Sequence, residues 1–279
     1  MQAFLLSAAF LSIVYAVVFV LERRPKLAFR PLSYRRRYFL TDLTWYGIVV
    51  GMSALSILLV RPVFDRLTIE PIANIVRDLP VPARFVLALL LFDLVAYAVH
   101  RALHQSDLLW NLHKVHHSSL ELDGVAATRQ HVMENMIRFL PSQLAMFLVG
   151  IPTAQVAPAV ALGAVFAIVE HSNLRLDVRW LEKIVITPRL HRRHHVPATS
   201  MTNYGGVFSI WDRMFGSFVS MDTAPEERFG CPGEVDTYPQ RFKEAVRKPP
   251  RDIAAQLRSR RRPTATTTVN PDDAERVAA

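Results

Sequence analysis

The chain has 279 residues, a formal charge of +9, 51% hydrophobic residues and a mean hydropathy of +0.19. A single cysteine, Cys231, excludes a disulfide framework and a thiolate metal site. Neither G-x-G-x-x-G nor G-x-x-x-x-G-K-[ST] occurs, which speaks against flavin, nicotinamide or ATP binding. The positive charge is gathered beside apolar runs, at 22–37 and around Arg258 to Arg262, a pattern that suits lipid headgroups and topology rather than nucleic acid.

Taken in order, 3–21 is free of charge and long enough to cross a bilayer. Arg23, Arg24 and Lys26 follow it in place of a small-residue cleavage site, so it reads as a retained span and not a signal peptide. Further apolar runs cover about 43–60 and 83–99. A longer stretch, 139–169, is broken at Gly150-Ile151-Pro152 and reads as two short helices forming a hairpin. The fold class expected is all-α, a multi-pass membrane protein with about four or five membrane helices and a histidine-rich helical cap. One domain is expected over 1–248, with a disordered polar tail over 249–279. The loop 22–37 carries seven Lys/Arg against one acid, whereas 61–84 carries four against three. The positive-inside rule then puts the N-terminus outside, with the cap and C-terminus in the cytoplasm.

That orientation, deduced without the histidines, brings all ten of them to or near one membrane face. Eight fall in three clusters: His100 and His104; His113, His116 and His117; His191, His194 and His195. His131 and His171 stand singly. Spacings of i, i+3 and i+4 share a helix face, so each cluster is expected to aim at a common point. Imidazole suits Fe, Zn, Cu and Ni, and eight to ten donors are too many for one ion but right for two. Buried imidazoles beside a bilayer are costly without a partner, which disfavours a merely polar face. Asp93, Tyr97, His100 and His104 lie on one face of the third span, placing Asp93 and Tyr97 behind two ligands. Asp93 is expected either to fix an imidazole tautomer or to pair with a neighbouring helix. Asn203 and Asp212 are candidates for supporting the cap, turn and capping roles being equally ordinary for them. Trp180 and Trp211 read as packing or interface aromatics.

The order H-x-x-x-H, H-x-x-H-H, H-x-x-H-H resembles the fatty acid hydroxylase/sterol desaturase superfamily of membrane di-iron enzymes. Thr128-Arg-Gln-His131 with Glu134, Glu170-His171, Asn203-Tyr-Gly-Gly206 and Trp211-Asp-Arg-Met-Phe-Gly216 extend the resemblance over about 84–220. His116-His-Ser-Ser119 through Arg129 is nearest to alkylglycerol monooxygenase-like bacterial members. The resemblance implies two iron ions held by all ten histidines (zinc being a possible substitute), O2 as co-substrate, and hydroxylation or desaturation of a lipid, sterol or fatty-acyl C–H bond. It also implies a lipid substrate from the bilayer and a separate electron donor of ferredoxin, cytochrome b5 or reductase type. Iron can change oxidation state and zinc cannot, in keeping with the chemistry of a strong C–H bond. Two alternatives differ in what they require. A membrane zinc hydrolase wants a glutamate beside the metal in an H-E-x-x-H-like motif, which no cluster has. A metal transporter wants ligands at mid-membrane depth on several spans.

Overall fold

The computed structural model describes residues 2–33, 38–59, 61–64, 66–176, 178–220 and 228–261. The apolar runs become helices because their side chains offer the backbone no competing hydrogen bonds. The helices, apolar and polar together, are α1 (Gln2–Leu21), α2 (Phe39–Leu59), α3 (Arg61–Phe64), α4 (Glu70–Asp78), α5 (Val81–Gln105), α6 (Asp107–His117), α7 (Val132–Leu148), α8 (Thr153–His171), α9 (Pro188–His194), α10 (Ile210–Met214) and α11 (Phe242–Arg261). No strand occurs among the described residues, only the isolated bridges Ala28–Leu174 and Val185–Phe208.

Helix α5 is the axis of the fold, packed against α7 and α8 and joined to α6 by a tight corner. Ser106 makes that corner: its N–H closes α5 on Ala102 O, and its hydroxyl accepts the Leu109 N–H at the start of α6. The chain reverses there, so the last turn of α5 faces the inner side of α6. The expected hairpin forms with its break at 149–152, Gly150 adopting φ +78°. A Cβ there would sit 2.4 Å from Ala73 Cβ and 2.8 Å from Ala73 Cα, backbone that cannot move aside cheaply. Gly150→Ala should therefore lower stability by about 1–3 kcal/mol, read as a lower thermal unfolding midpoint.

Among the described residues two helices, α5 and α8, are long and apolar enough to cross a membrane. Only 22% and 33% of their apolar windows are buried within the protein, so much of their apolar surface is exposed. Apolar clusters fill what remains. Ala88, Met146, Phe147 and Ala159 join α5, α7 and α8. Trp45, Val115, Tyr238 and Ala245 join α2 and α6 to the C-terminal segment.

Two expectations are corrected. Residues 249–261, expected to be disordered, continue α11, while 262–279 lie outside the described residues. Asn111 Nδ2 donates to Gln256 Oε1 at 2.8 Å, and Lys248 bridges Glu234 and Asp252, fastening α11 along α6. The basic stretch after α1 is not all turned to headgroups either. Glu22 and Arg23 are buried, Arg23 pairing with Glu22 at 2.7 Å and Asp123 at 3.0 Å. Glu22 Oε2 accepts the N–H groups of Gly124 and Asn173, tying the end of α1 to the side of the fold where the histidines gather. Residues 34–37 of that loop lie outside the described residues.

Candidate metal centre

Nine of the ten histidines converge, in two adjoining groups. His100, His104, His113, His117 and His194 form one; His116, His171, His191 and His195 form the other, and within each group the donor atoms lie within 4.8 Å of one another. All nine are buried. The clusters of the sequence are not the groups of the structure. On a helix, positions i and i+4 are near in direction, whereas i+3 and i+4 differ by about 100°. His113 and His117 therefore turn to the first group while His116 turns to the second. His191 and His195 turn to the second while His194 crosses to the first. Each H-x-x-H-H segment serves both groups, correcting the expectation of one common point per cluster.

The tautomers follow from the partners. His100 Nδ1 donates to Tyr204 O (2.8 Å), His113 Nδ1 to Glu134 Oε1 (2.7 Å), His171 Nδ1 to Ala167 O (2.6 Å) and His194 Nδ1 to Thr202 O (2.7 Å). Carbonyl and carboxylate oxygens only accept, so each of these rings presents an Nε2 lone pair to its group. His100 Nε2 and His113 Nε2 then face each other at 3.2 Å with no proton between them. His171 Nε2 stands 3.0 Å from His116 Nε2 and 3.0 Å from His191 Nε2, and His195 Nε2 stands 3.1 Å from His191 Nε2. Opposed lone pairs repel unless a cation lies between them. Two donors about 2.1 Å from one ion at right angles stand about 3.0 Å apart, the spacing found here. Both nitrogens of His104 and His117, and His194 Nε2, are buried without a hydrogen-bond partner. The donor set fits a metal at each group.

Electrostatics point the same way. Burial first, and neighbouring imidazoles after it, hold His116, His117, His191 and His195 well below the ordinary 6.5. Burial takes His194 down to about 4. These rings are neutral at pH 7, the form that ligates.

The remaining expected residues sort by what they touch. Asp93 meets no imidazole: it accepts from Val207 N–H, Phe208 N–H and Trp211 Nε1 at 2.8, 2.8 and 2.9 Å, which realises the alternative of pairing with a neighbouring segment. Tyr97 shares a 2.8 Å hydrogen bond with Ser217 Oγ and accepts from Arg101, and so also stands away from the imidazoles. Asp212 accepts from Tyr204 N–H, Gly205 N–H and Ser217 Oγ, thereby fixing the carbonyl that holds His100. Asn203, at φ +54°, pairs through both side-chain atoms with the Val219 backbone. Trp180 is 64% exposed, and Trp211 is the Asp93 donor.

The structure does not bring His131 to either group. Its Nδ1 accepts the Met133 N–H as the cap of α7, and its Nε2 donates to Val246 O at 3.3 Å. Val246 O is the carbonyl that Pro250, lacking an N–H, leaves open in α11. Both ring nitrogens are thus spent on backbone, and His131 stands apart from the nine converging histidines. His131→Ala should leave metal content unchanged and cost about 1–2 kcal/mol of stability, checked by elemental analysis beside a thermal melt.

Glu134 and Glu170 were quoted in the family motifs but given no role at the site. Glu134 holds His113, and Glu170 lies 3.7 Å from His171 Nδ1 and 3.8 Å from His191 Nδ1. No cluster has an H-E-x-x-H-like glutamate, but the fold brings Glu134 and Glu170 beside the histidines from other helices. Glu134 Oε1 is already taken by an imidazole N–H. A cavity of about 400 Å³ runs between α1, α2, α5, α7 and α8, and Glu170 forms part of its wall. Phe92, Phe147, Val156 and Val160 make it apolar, whereas Gln130, Asn135 and Arg138 make one stretch polar.

Comparison with known proteins agrees with this site. Residues 85–217 match the fatty acid hydroxylase family. Ornithine lipid hydroxylase OlsE of Rhizobium tropici is 31% identical over 56% of this chain and 48% of its own length. Alkylglycerol monooxygenase of Danio rerio is 37% identical over 47% and 30%. A Delta(7)-sterol 5(6)-desaturase of Gibberella zeae is 26% identical over 45% and 38%. The chain spans about half the length of the first of these relatives and a smaller share of the others. No solved structure matches the chain.

Proposed function

We propose, on the premise that residues 85–217 belong to the fatty acid hydroxylase family, that the protein is a membrane di-iron oxygenase acting on a lipid C–H bond. The observation that carries the reading is the pair of buried groups whose Nε2 atoms face one another at 3.0–3.2 Å beside an apolar cavity. The nine histidines are the proposed ligands, five for one ion and four for the other. Two irons, when bound, supply the redox chemistry by which O2 attacks an unactivated C–H bond.

The chain's own residues do the rest. Tyr204 O, Glu134, Ala167 O and Thr202 O keep protons on Nδ1 and so keep the Nε2 lone pairs free. Asp93 and Asp212 hold 204–211 against α5, fixing the lid over the first group. The cavity binds the chain of the substrate by excluding water from it. Electrons come from a separate donor protein.

The chain is proposed to cross the membrane four or five times, α5 and α8 being the two surest spans. The cap is proposed to be cytoplasmic. The tie from Glu22 to Gly124 and Asn173 supports this, since it puts the start of the basic loop and the histidines on one side.

The test is elemental analysis of protein made with iron available, together with lipid profiling of cells with and without the gene under isotopically labelled O2. About two irons per chain and a labelled lipid product are expected. Turnover with zinc alone and without O2 would replace this reading with the hydrolase.

A further inference from the structure

We propose that Arg138 anchors an anionic group at the end of the substrate's hydrocarbon chain, so that the C–H bond presented to the metal groups lies a few bonds from that anion and not in mid-chain. This rests on the oxygenase reading of the site. Arg138 lies within α7 and lines the cavity together with Asn135 and Gln130. A guanidinium facing apolar space near a bilayer is costly unless something meets its charge.

Among the described residues its ion pair is with Glu134 alone, and it is long. Its nearest acid is Glu134, at 3.8 Å from Nη1, beyond hydrogen-bond reach, and that same Oε1 already accepts His113 Nδ1–H at 2.7 Å. The Arg138 side chain keeps 22% of its surface open. Of the other acids of the wall, Asp93 is held by three donors, and Glu170 faces His171 and His191 at 3.7 and 3.8 Å and acts on Arg138 only through its charge.

The guanidinium fork matches a carboxylate or phosphate, donating to two oxygens at once. The apolar walls from Phe92, Phe147, Val156 and Val160 fit the hydrocarbon attached to it. Position sets the consequence. Only the Glu134 carboxylate separates the guanidinium from the His113 ring, so an anion held on Arg138 brings its own first carbons to the metal groups. An acyl carboxylate and a lipid phosphate share this chemistry.

The test measures binding of three probes of equal chain length to the purified full chain in detergent: hexadecanoate, hexadecyl phosphate and hexadecanol. Wild type should bind one or both anions about tenfold or more tightly than the alcohol, and the stronger anion identifies the source. Arg138→Gln should bring anion and alcohol within about twofold of each other while alcohol affinity stays unchanged. Arg138→Lys, which keeps the charge and stands in should the glutamine variant not fold, should retain part of the preference. Equal binding of all three probes by wild type, a wild-type ratio in Arg138→Gln, or a lysine variant with no anion preference overturns the proposal. Binding is read without turnover, so failure of the oxygenase reading shows separately, in the metal analysis.

Discussion

Replacing His171 by alanine should cut turnover by roughly a thousandfold or more and lower iron from about two per chain to about one. His171 Nε2 stands 3.0 Å from both His116 and His191, so it is the hub of the four-histidine group, and its loss leaves three donors. The other group keeps all five of its imidazoles. His104→Ala should give the converse, because His104 belongs only to the five-histidine group and spends neither ring nitrogen on the protein. Elemental analysis of both purified variants beside turnover decides the matter. Two irons with normal turnover in His171→Ala would remove that residue from the site. Loss of both ions in each variant would mean that the groups load as one unit.

Glu134→Leu should weaken iron binding or turnover by about 10–100-fold, although Glu134 is not among the proposed ligands. Its Oε1 accepts the His113 Nδ1–H at 2.7 Å, and this bond keeps the His113 Nε2 lone pair facing His100. Leucine leaves a buried N–H without an acceptor, a cost of about 1–3 kcal/mol, and frees the ring to rotate or change tautomer. Glu134→Gln retains a carbonyl acceptor for that proton and should cost much less. Chelator competition for the iron, run on both variants, separates the two substitutions. Equal losses would show that the negative charge matters and not the acceptor.

Much of this could be read along the chain. The four apolar runs, the break at 149–152 and the histidine spacings are local patterns, and local patterns dictate helices and faces. They led to an all-helical chain and to nine of the ten histidines now found together. Glu170 and Glu134 were visible as motif letters, but which imidazole each would meet depends on how α7 and α8 lie against α6.

Polarity, with little to bury, points to a disordered C-terminal segment from 249 onward. Pro249 and Pro250 signal a helix end, yet α11 runs through them to Arg261. The carbonyl that Pro250 leaves open is met by His131, a residue 115 positions away in sequence. That contact sets His131 apart from the two histidine groups, while the ties of Asn111 and Lys248 hold the helix of the tail.

What the sequence determined by itself was the chemistry available: imidazole donors without thiolates, apolar helices long enough for a bilayer, and a basic flank beside the first of them. Those properties reside in residue types and in the 3.6-residue turn, which need no tertiary contact. Only the tertiary structure decided how the donors divide. Each H-x-x-H-H segment points two ways, and the corner at Ser106 together with the Tyr204, Thr202, Ala167 and Glu134 acceptors selects which nitrogen faces which group. Such choices rest on hydrogen bonds between residues far apart in the chain, and helical periodicity carries no information about them.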